Sequence, residues 1–546
     1  MPRRGIASRA RELALASLAV VLLIAPARAH VGNPDIYFQG TAGPYHLIIT
    51  VRTPQMIPGT ADVEILSATP GISKITVVPL YIVGPGAKYP PVGDLLTQSK
   101  EDPQYFSGKI WLMDSGSWQV RVQVEGAQGA SELAVPVPAA ARRTLPMQRS
   151  LGTLLFALMS LLVVAIISIV GAARREATLA PGELPSAERS RRGRWMMLGT
   201  GVIVFGVLYF GNWWWNSEAS AKARQMIYKP PPLGVSLEPG GKLLLKMGNS
   251  EWHRTRPETV MTSLMPDHGH LMHLFLIREP GMDRFYHLHP QLVLPEAGLH
   301  PHREPAFETD LPAIPAGRYQ VFADVVRVSG FPDTMVAEID LPDIPGVALS
   351  GDNSAAASSP LPADDTRAGS NADPSGASGP NGAVAATVSV TPDGTTAILP
   401  DGYKMIWERG SAPFTTNHFV WLRFRMETPD GKPVSDSEPY MGMAGHAEIV
   451  NSDRSVFAHI HPDGSVAMAA LELAQKNSAQ GNASTNAQAG VNAGGGMSGM
   501  DMSMDPRSAE VSFRYGFPKA AEYRLFVQMK RGGTIETGVF DTQVLP

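Results

Sequence analysis

Five of the chain's 14 histidines fall in one short stretch, HGHLMHLFLIREPGMDRFYHLHP, as His268, His270, His273, His287 and His289. A second stretch, GHAEIVNSDRSVFAHIHP, repeats the pattern with His446, His459 and His461. Each reads as a β-hairpin with one histidine on its first strand and an HxH pair on its second. Strand residues two apart share a face at a spacing of roughly 7 Å. His287 therefore shares a face with His289, and His459 with His461. A turn centred on Gly281 sets His273 opposite His289, and a turn at Asp453 and Arg454 sets His446 opposite His461. Opposed residues on antiparallel strands bring their Cβ atoms to about 4.5 to 5.5 Å, near enough for two imidazoles to share an ion. Three such imidazoles suit zinc or copper. The competing reading is structural, with the same rings packed at strand ends and hydrogen-bonded to backbone.

Other residues extend this chemistry. His268 and His270 align with Met441 and Met443 of the second copy, and thioether donors favour Cu(I) over Cu(II) or Zn(II). The connection after the first hairpin holds His300 and His302. The corresponding second connection ends in GGGMSGMDMSMDP, where Met497, Met500, Met502 and Met504 have no apolar face to join and read as soft-metal ligands. His30 follows Ala27-Arg28-Ala29, so cleavage there leaves an amine and an imidazole able to chelate Cu(II) together. His46 is the only other histidine nearby, so that site needs an Asp, Glu or Met to complete it. The chain has no cysteine, which excludes thiolate sites, disulfides and cysteine nucleophiles.

The elements that must position these residues follow from patterning. Residues 1–29 have the anatomy of a signal peptide, with Arg3, Arg4, Arg9 and Arg11 before an apolar run. Residues 30–140 alternate apolar and polar positions, most cleanly at Trp118, Val120, Val122 and Val124 against Gln119, Arg121, Gln123 and Glu125. Residues 151–172 and 195–215 are apolar runs long enough to cross a bilayer, for which roughly 20 residues suffice. The loop 173–194 carries Arg174, Arg175, Arg189, Arg191, Arg192 and Arg194, and the positive-inside rule puts it in the cytoplasm. Tyr209 and Trp213 to Trp215 form an aromatic anchor at the far end. Both flanking regions are then extracytoplasmic, in the periplasm of a cell with an inner membrane.

Residues 230–345 and 387–546 read as two copies of a β-sandwich, separated by a low-complexity linker at 346–386 that holds too little apolar surface to order itself. The copies share a late strand, AGRYQVFADVV and AAEYRLFVQMK, in which Tyr319, Val321 and Ala323 match Tyr523, Leu525 and Val527. The expected fold is mainly β, with three extracytoplasmic immunoglobulin-like sandwiches and two transmembrane helices.

The segments HLFLIREPGMDRFYHLHP and GHAEIVNSDRSVFAHIHP, followed by the EYRLFVQ strand, resemble the YtkA-like family of exported β-sandwich domains. That resemblance implies export and a copper or heavy-metal role for the two repeats. The first domain, with His30 after the cleavage site, loosely resembles CopC-type periplasmic copper proteins, without their second ligand cluster. HVGNPDIYFQG followed by a sandwich and a membrane helix is similar to bacterial membrane proteins.

These readings make a membrane-anchored metal binder the leading expectation, serving copper binding, delivery or resistance, with the bilayer, a metal ion and other envelope proteins as partners. The alternative is a structural or interaction module of the cell envelope without metal. A net charge of −4 argues against nucleic acid. No HExxH, GxSxG, Walker loop or dinucleotide fingerprint is present, so no enzyme is expected.

Overall fold

The computed structural model describes residues 30–31, 35–256, 264–293, 305–361, 386–416, 418–485 and 507–546. The expected signal peptide, His300, His302 and Met497, Met500, Met502 and Met504 lie outside the described residues. Within them the protein is mainly β, with several sheets and two long apolar helices.

The sheets fall into pairs along the chain. In the first region a five-stranded sheet led by Asp35–Ala42 and Tyr45–Arg52 faces a four-stranded sheet built on Ile72–Tyr81 and Gly116–Gly126. The alternation expected around Trp118 is present, since Trp118, Val120, Val122 and Val124 are buried in the core between these sheets. Each repeat likewise pairs a seven-stranded sheet carrying its hairpin with a smaller one.

The hairpin registers match the turn centres read from the sequence. In the first, Leu274 pairs with Leu288 and Ile277 with Phe285. In the second, Ala447 pairs with Ile460 and Val450 with Phe457. One further step in each register sets His273 against His289 and His446 against His461. The late strands Gly317–Arg327 and Ala521–Arg531 pair with the first hairpin strands at equivalent positions, His273 with Asp324 and His446 with Gln528.

The two hairpin sheets pack face to face, which alternation alone did not anticipate. Phe322 stacks on Phe457 at 4.1 Å, and the equivalent pair with copies exchanged, Phe526 on Phe285, stacks at 4.2 Å. Consequently Phe322 is as buried as Tyr319, Val321 and Ala323 on the opposite face of its strand. A single apolar cluster includes Phe275, Ile277, Phe285 and Phe322 of the first repeat with Ile449, Phe457 and Phe526 of the second.

Three boundaries need correction. The stretch 346–386 is not wholly a linker, because Ser354–Ala357 forms a strand on Arg284–Leu288 and Leu361 is buried in the shared core. This strand extends the hairpin sheet beside Arg284–Leu288, with Ala356 and Ala357 buried. His30–Val31 does not join the first region's sheets but pairs in parallel with Val456 and Phe457 of the second hairpin. The helices, Arg149–Glu176 and Ala187–Met226, exceed the apolar runs at 151–172 and 195–215. Helix continues because no Pro or capping Gly stops it, and this takes all six arginines of the expected loop into the helix ends, leaving a short connection at 177–186. The two helices approach closely at Gly171, where an added Cβ would meet Met197 Cγ at 2.3 Å. Small residues serve such helix contacts by letting backbones approach.

A buried polar cluster joins the helices to the sheets. Tyr228, just past the second helix, donates its backbone N–H to Ala141 O at 2.8 Å, pinning the chain that leaves the helix pair to the chain that enters it. Its hydroxyl donates to Asp333 Oδ1 at 2.8 Å. Asp333 also takes Arg327 Nε at 2.7 Å and His253 Nε2 at 3.0 Å, and Ser250 Oγ lies 2.6 Å from His253 Nδ1. Burial pushes the Asp333 carboxyl up, but Arg327 and His253 outweigh it and hold the group down at about 2. Removing one member of a buried ion pair leaves the other charge desolvated, at about 3 to 5 kcal/mol. Asp333→Ala is expected to destabilise the full chain by about that amount, seen as a clear fall in thermal unfolding midpoint. An unchanged midpoint would show that this cluster does not hold the sheets to the helices.

Candidate metal centre

Eight histidines meet where the two hairpins face each other, five from the first repeat and three from the second. Six of them form two triads, His273 with His287 and His289, and His268 with His446 and His461. In each triad one ligand atom per residue lies within 4.8 Å of the others.

The first triad comes from a single hairpin, as the register predicts. The second differs from expectation: His268 of the first repeat completes the set of His446 and His461, while His459 stands aside. The backbone explains the crossing. His268 and Met441 occupy equivalent turns with positive φ, 50° and 49°, closed by the bridges Asp267 to His270 and Tyr440 to Met443. The first turn overhangs the facing repeat, which puts the His268 ring beside His446 and His461.

Hydrogen bonds assign the ring protons. His273 Nε2 donates to Asp267 O at 3.1 Å, His287 Nδ1 to Gln528 Oε1 at 2.9 Å and His289 Nδ1 to Asn353 Oδ1 at 3.1 Å. Asn353 is oriented by accepting the His289 backbone N–H as well, at 2.9 Å. In the second triad His268 Nδ1 donates to Met441 O at 3.1 Å and His461 Nδ1 to Val466 O at 3.3 Å. A neutral imidazole has one N–H, so the other nitrogen of each ring is a bare acceptor. Two such acceptors then face each other in each triad: His273 Nδ1 and His287 Nε2 at 3.2 Å, and His268 Nε2 and His461 Nε2 at 3.2 Å. His289 Nε2 and both nitrogens of His446 are buried with no hydrogen-bond partner among the described residues.

Two lone pairs at that distance repel unless a cation lies between them. Ligand nitrogens about 2.0 to 2.1 Å from one tetrahedral ion are separated by roughly 3.3 Å, close to what is seen. The other ring nitrogen of a metal-bound histidine characteristically donates to a carbonyl or carboxylate, which is the pattern here.

Burial also keeps these rings neutral. Desolvation pushes His273, His287, His446 and His461 well below the usual histidine range, assisted by neighbouring imidazoles, and lowers His268 in the same way. His289 is lowered to about 3 by burial and then His270. Neutral imidazole is the form that binds metal.

The remaining expected ligands are placed as follows. His459 lies between the triads. His270 stacks on His289 at 3.9 Å and reaches Asp352 Oδ2 at 3.3 Å. Met441 contributes its carbonyl to His268, while Met443 packs into the apolar core of the first region. The His30 backbone pairs with the second hairpin, and His46 is exposed on Tyr45–Arg52. Several site residues escaped sequence reasoning, namely Asp324, Asn353, Tyr440, Glu448 and Gln528. Glu448 left a signal, a lone acid in the apolar strand HAEIVN where the first copy has Phe275. Asn353 left none, since it sits in sequence that reads as linker.

A family described as a domain of unknown function, DUF8832, matches residues 396–545, which is the second repeat. No curated protein matches the chain. Among solved structures, trypsin-activated alpha-2-macroglobulin from Escherichia coli is 8% identical with a TM-score of 0.15, the match covering 94% of this chain and 24% of that one. Latent dimeric PorU from Porphyromonas gingivalis is 7% identical with a TM-score of 0.15, covering 94% and 34%. A putative membrane anchored protein from Corynebacterium diphtheriae is 7% identical with a TM-score of 0.13, covering 94% and 96%. The chain thus spans about a quarter to a third of the first two. At these TM-scores none of the likenesses bears on function.

The lowered histidines give the metal-free protein a defined acid response. Their folded values lie below the unfolded value of about 6.5, so below that pH the unfolded chain binds more protons and stability falls. The loss starts near the unfolded value and continues down to about 3 for His289. Glu448 is pushed up by burial and works in the opposite direction, but it is one group against six. The thermal midpoint of chelator-treated protein should therefore drop between about pH 7 and pH 5. A flat profile would show that these rings are protonated or solvated when folded.

Proposed function

We propose that this protein is a membrane-anchored, extracytoplasmic metal binder that holds copper(II) or zinc at two tri-histidine centres between its repeats. The observation that carries this reading is the facing of two bare imidazole nitrogens at 3.2 Å in each triad. The donors are neutral, nitrogenous and pre-oriented, which suits the borderline ions Cu(II) and Zn(II). With Met443 committed to an apolar core, the described second centre offers imidazole rather than thioether, so the Cu(I) preference expected from Met441 and Met443 is not retained. Copper handling, as delivery or resistance, agrees with the resemblance of both hairpins to YtkA-like domains.

Support for a membrane location comes from the two helices, 28 and 40 residues long and apolar enough to cross a membrane. In this reading the arginines at the facing helix ends, Arg174 and Arg175 on the first and Arg189, Arg191, Arg192 and Arg194 on the second, face the cytoplasm. The paired sheets before and after them are immunoglobulin-like sandwiches on the periplasmic side.

Because His268 crosses between copies, single substitutions should separate the centres. Detergent-solubilised full-length protein titrated with Cu(II) or Zn(II) should lose the ion at the second centre in His268→Ala while keeping that at the first. His273→Ala should do the reverse. Binding equal to wild type in both variants would refute the assignment and favour a structural role for the rings.

A further inference from the structure

Two of the eight imidazoles stand outside the triads, and one of them borders both. The His459 ring lies 5.4 Å from that of His273 and 4.7 Å from that of His461. Its Nδ1 faces Asp324 Oδ2 at 3.5 Å, and its Nε2 faces Glu448 Oε1 at 4.0 Å. That Nε2 is buried without a hydrogen-bond partner among the described residues, and so are both carboxylate oxygens of Glu448. Glu448 Oε1 also lies 3.9 Å from His287 Nδ1.

Packing does not account for this acid. Glu448 is fully buried, and a carboxylate held out of water without a hydrogen bond costs several kcal/mol. The equivalent position of the first hairpin is Phe275, whose ring stacks on His287 at 4.4 Å. An apolar side chain thus serves that position where no further ligand is needed.

We infer that His459 Nε2 and Glu448 form a third cation position beside the two triads, taking a divalent ion of the zinc or copper(II) class with solvent completing its coordination. Asp324 acts as a positioning residue. Its Oδ2 lies 3.5 Å from His459 Nδ1, on the side of the ring that leaves Nε2 aimed at the ion, the carboxylate–histidine–metal arrangement common around such sites. Charge supports the same assignment, because ions in adjacent triads repel each other and Glu448 supplies an offsetting anionic oxygen beside them. Asp324 belongs to the first repeat and His459 and Glu448 to the second, so this position also needs both copies.

The inference rests on the metal-binding reading above, and one experiment separates the two. Full-length protein in detergent is equilibrated with zinc alone, freed of unbound ion, and its zinc content per chain is measured. Wild type should hold three, and both Glu448→Gln and His459→Ala should hold two. Asp324→Asn keeps both ligands and should weaken only the third ion, by about tenfold or more in affinity. It also tests the position should the ligand variants fail to fold. Two ions in wild type and variants alike would overturn the third position and leave the triads standing. Three ions in the variants would overturn its assignment to these residues. No bound zinc in wild type would overturn both readings.

Discussion

Everything at the candidate centre depends on the two hairpin sheets being pressed together. The exchanged aromatic pairs, Phe322 on Phe457 and Phe285 on Phe526, lie nearly parallel, at 8° and 12° between planes. Flat stacking of this kind fixes both separation and orientation, and the buried area of aromatic rings makes such contacts strong. Polar contacts frame it. Arg454 meets Glu279 at 2.7 Å, and Arg524 donates to the Met282 carbonyl at 3.0 Å. With the sheets so held, each repeat reaches into its neighbour: His268 toward His461, Gln528 toward His287, Asp324 toward His459. The second triad, and the hydrogen bond that orients His287, are therefore properties of the pair, whereas the three imidazoles of the first triad lie in one repeat.

The chemistry follows from the same constraint. Closing two sheets over imidazoles removes water from them, which lowers their proton affinity and leaves nitrogen lone pairs without donors. In a dry interior such groups destabilise the fold by about 1 to 3 kcal/mol each unless satisfied. A cation between them converts that penalty into binding energy, so metal occupancy and the closed pairing of the repeats support each other.

What the sequence revealed divides along the same line. Hairpin registers were legible because turn centres at Gly281 and at Asp453 and Arg454 fix which residues oppose one another. The helices were legible from apolar length, though their ends were not, because continuation past the apolar run depends on the absence of a stop signal. The first triad could be read because it is local to one hairpin. The second could not, since the overhang of His268 onto the facing repeat is a tertiary fact with no local signature. The burial of Phe322 and the capture of Ser354–Ala357 as a strand were hidden for the same reason. Period-two patterning reports one buried face and is silent about a second sheet covering the other.

In the proposed centres, imidazole nitrogens from both repeats bind the ions directly. X-ray absorption at the metal edge of zinc- or copper-loaded full-length protein tests this most directly. The expected result is a first shell dominated by nitrogen at about 2.0 to 2.1 Å with the outer-shell scattering of histidine rings. A shell of oxygen alone, or of sulfur near about 2.3 Å, would contradict it.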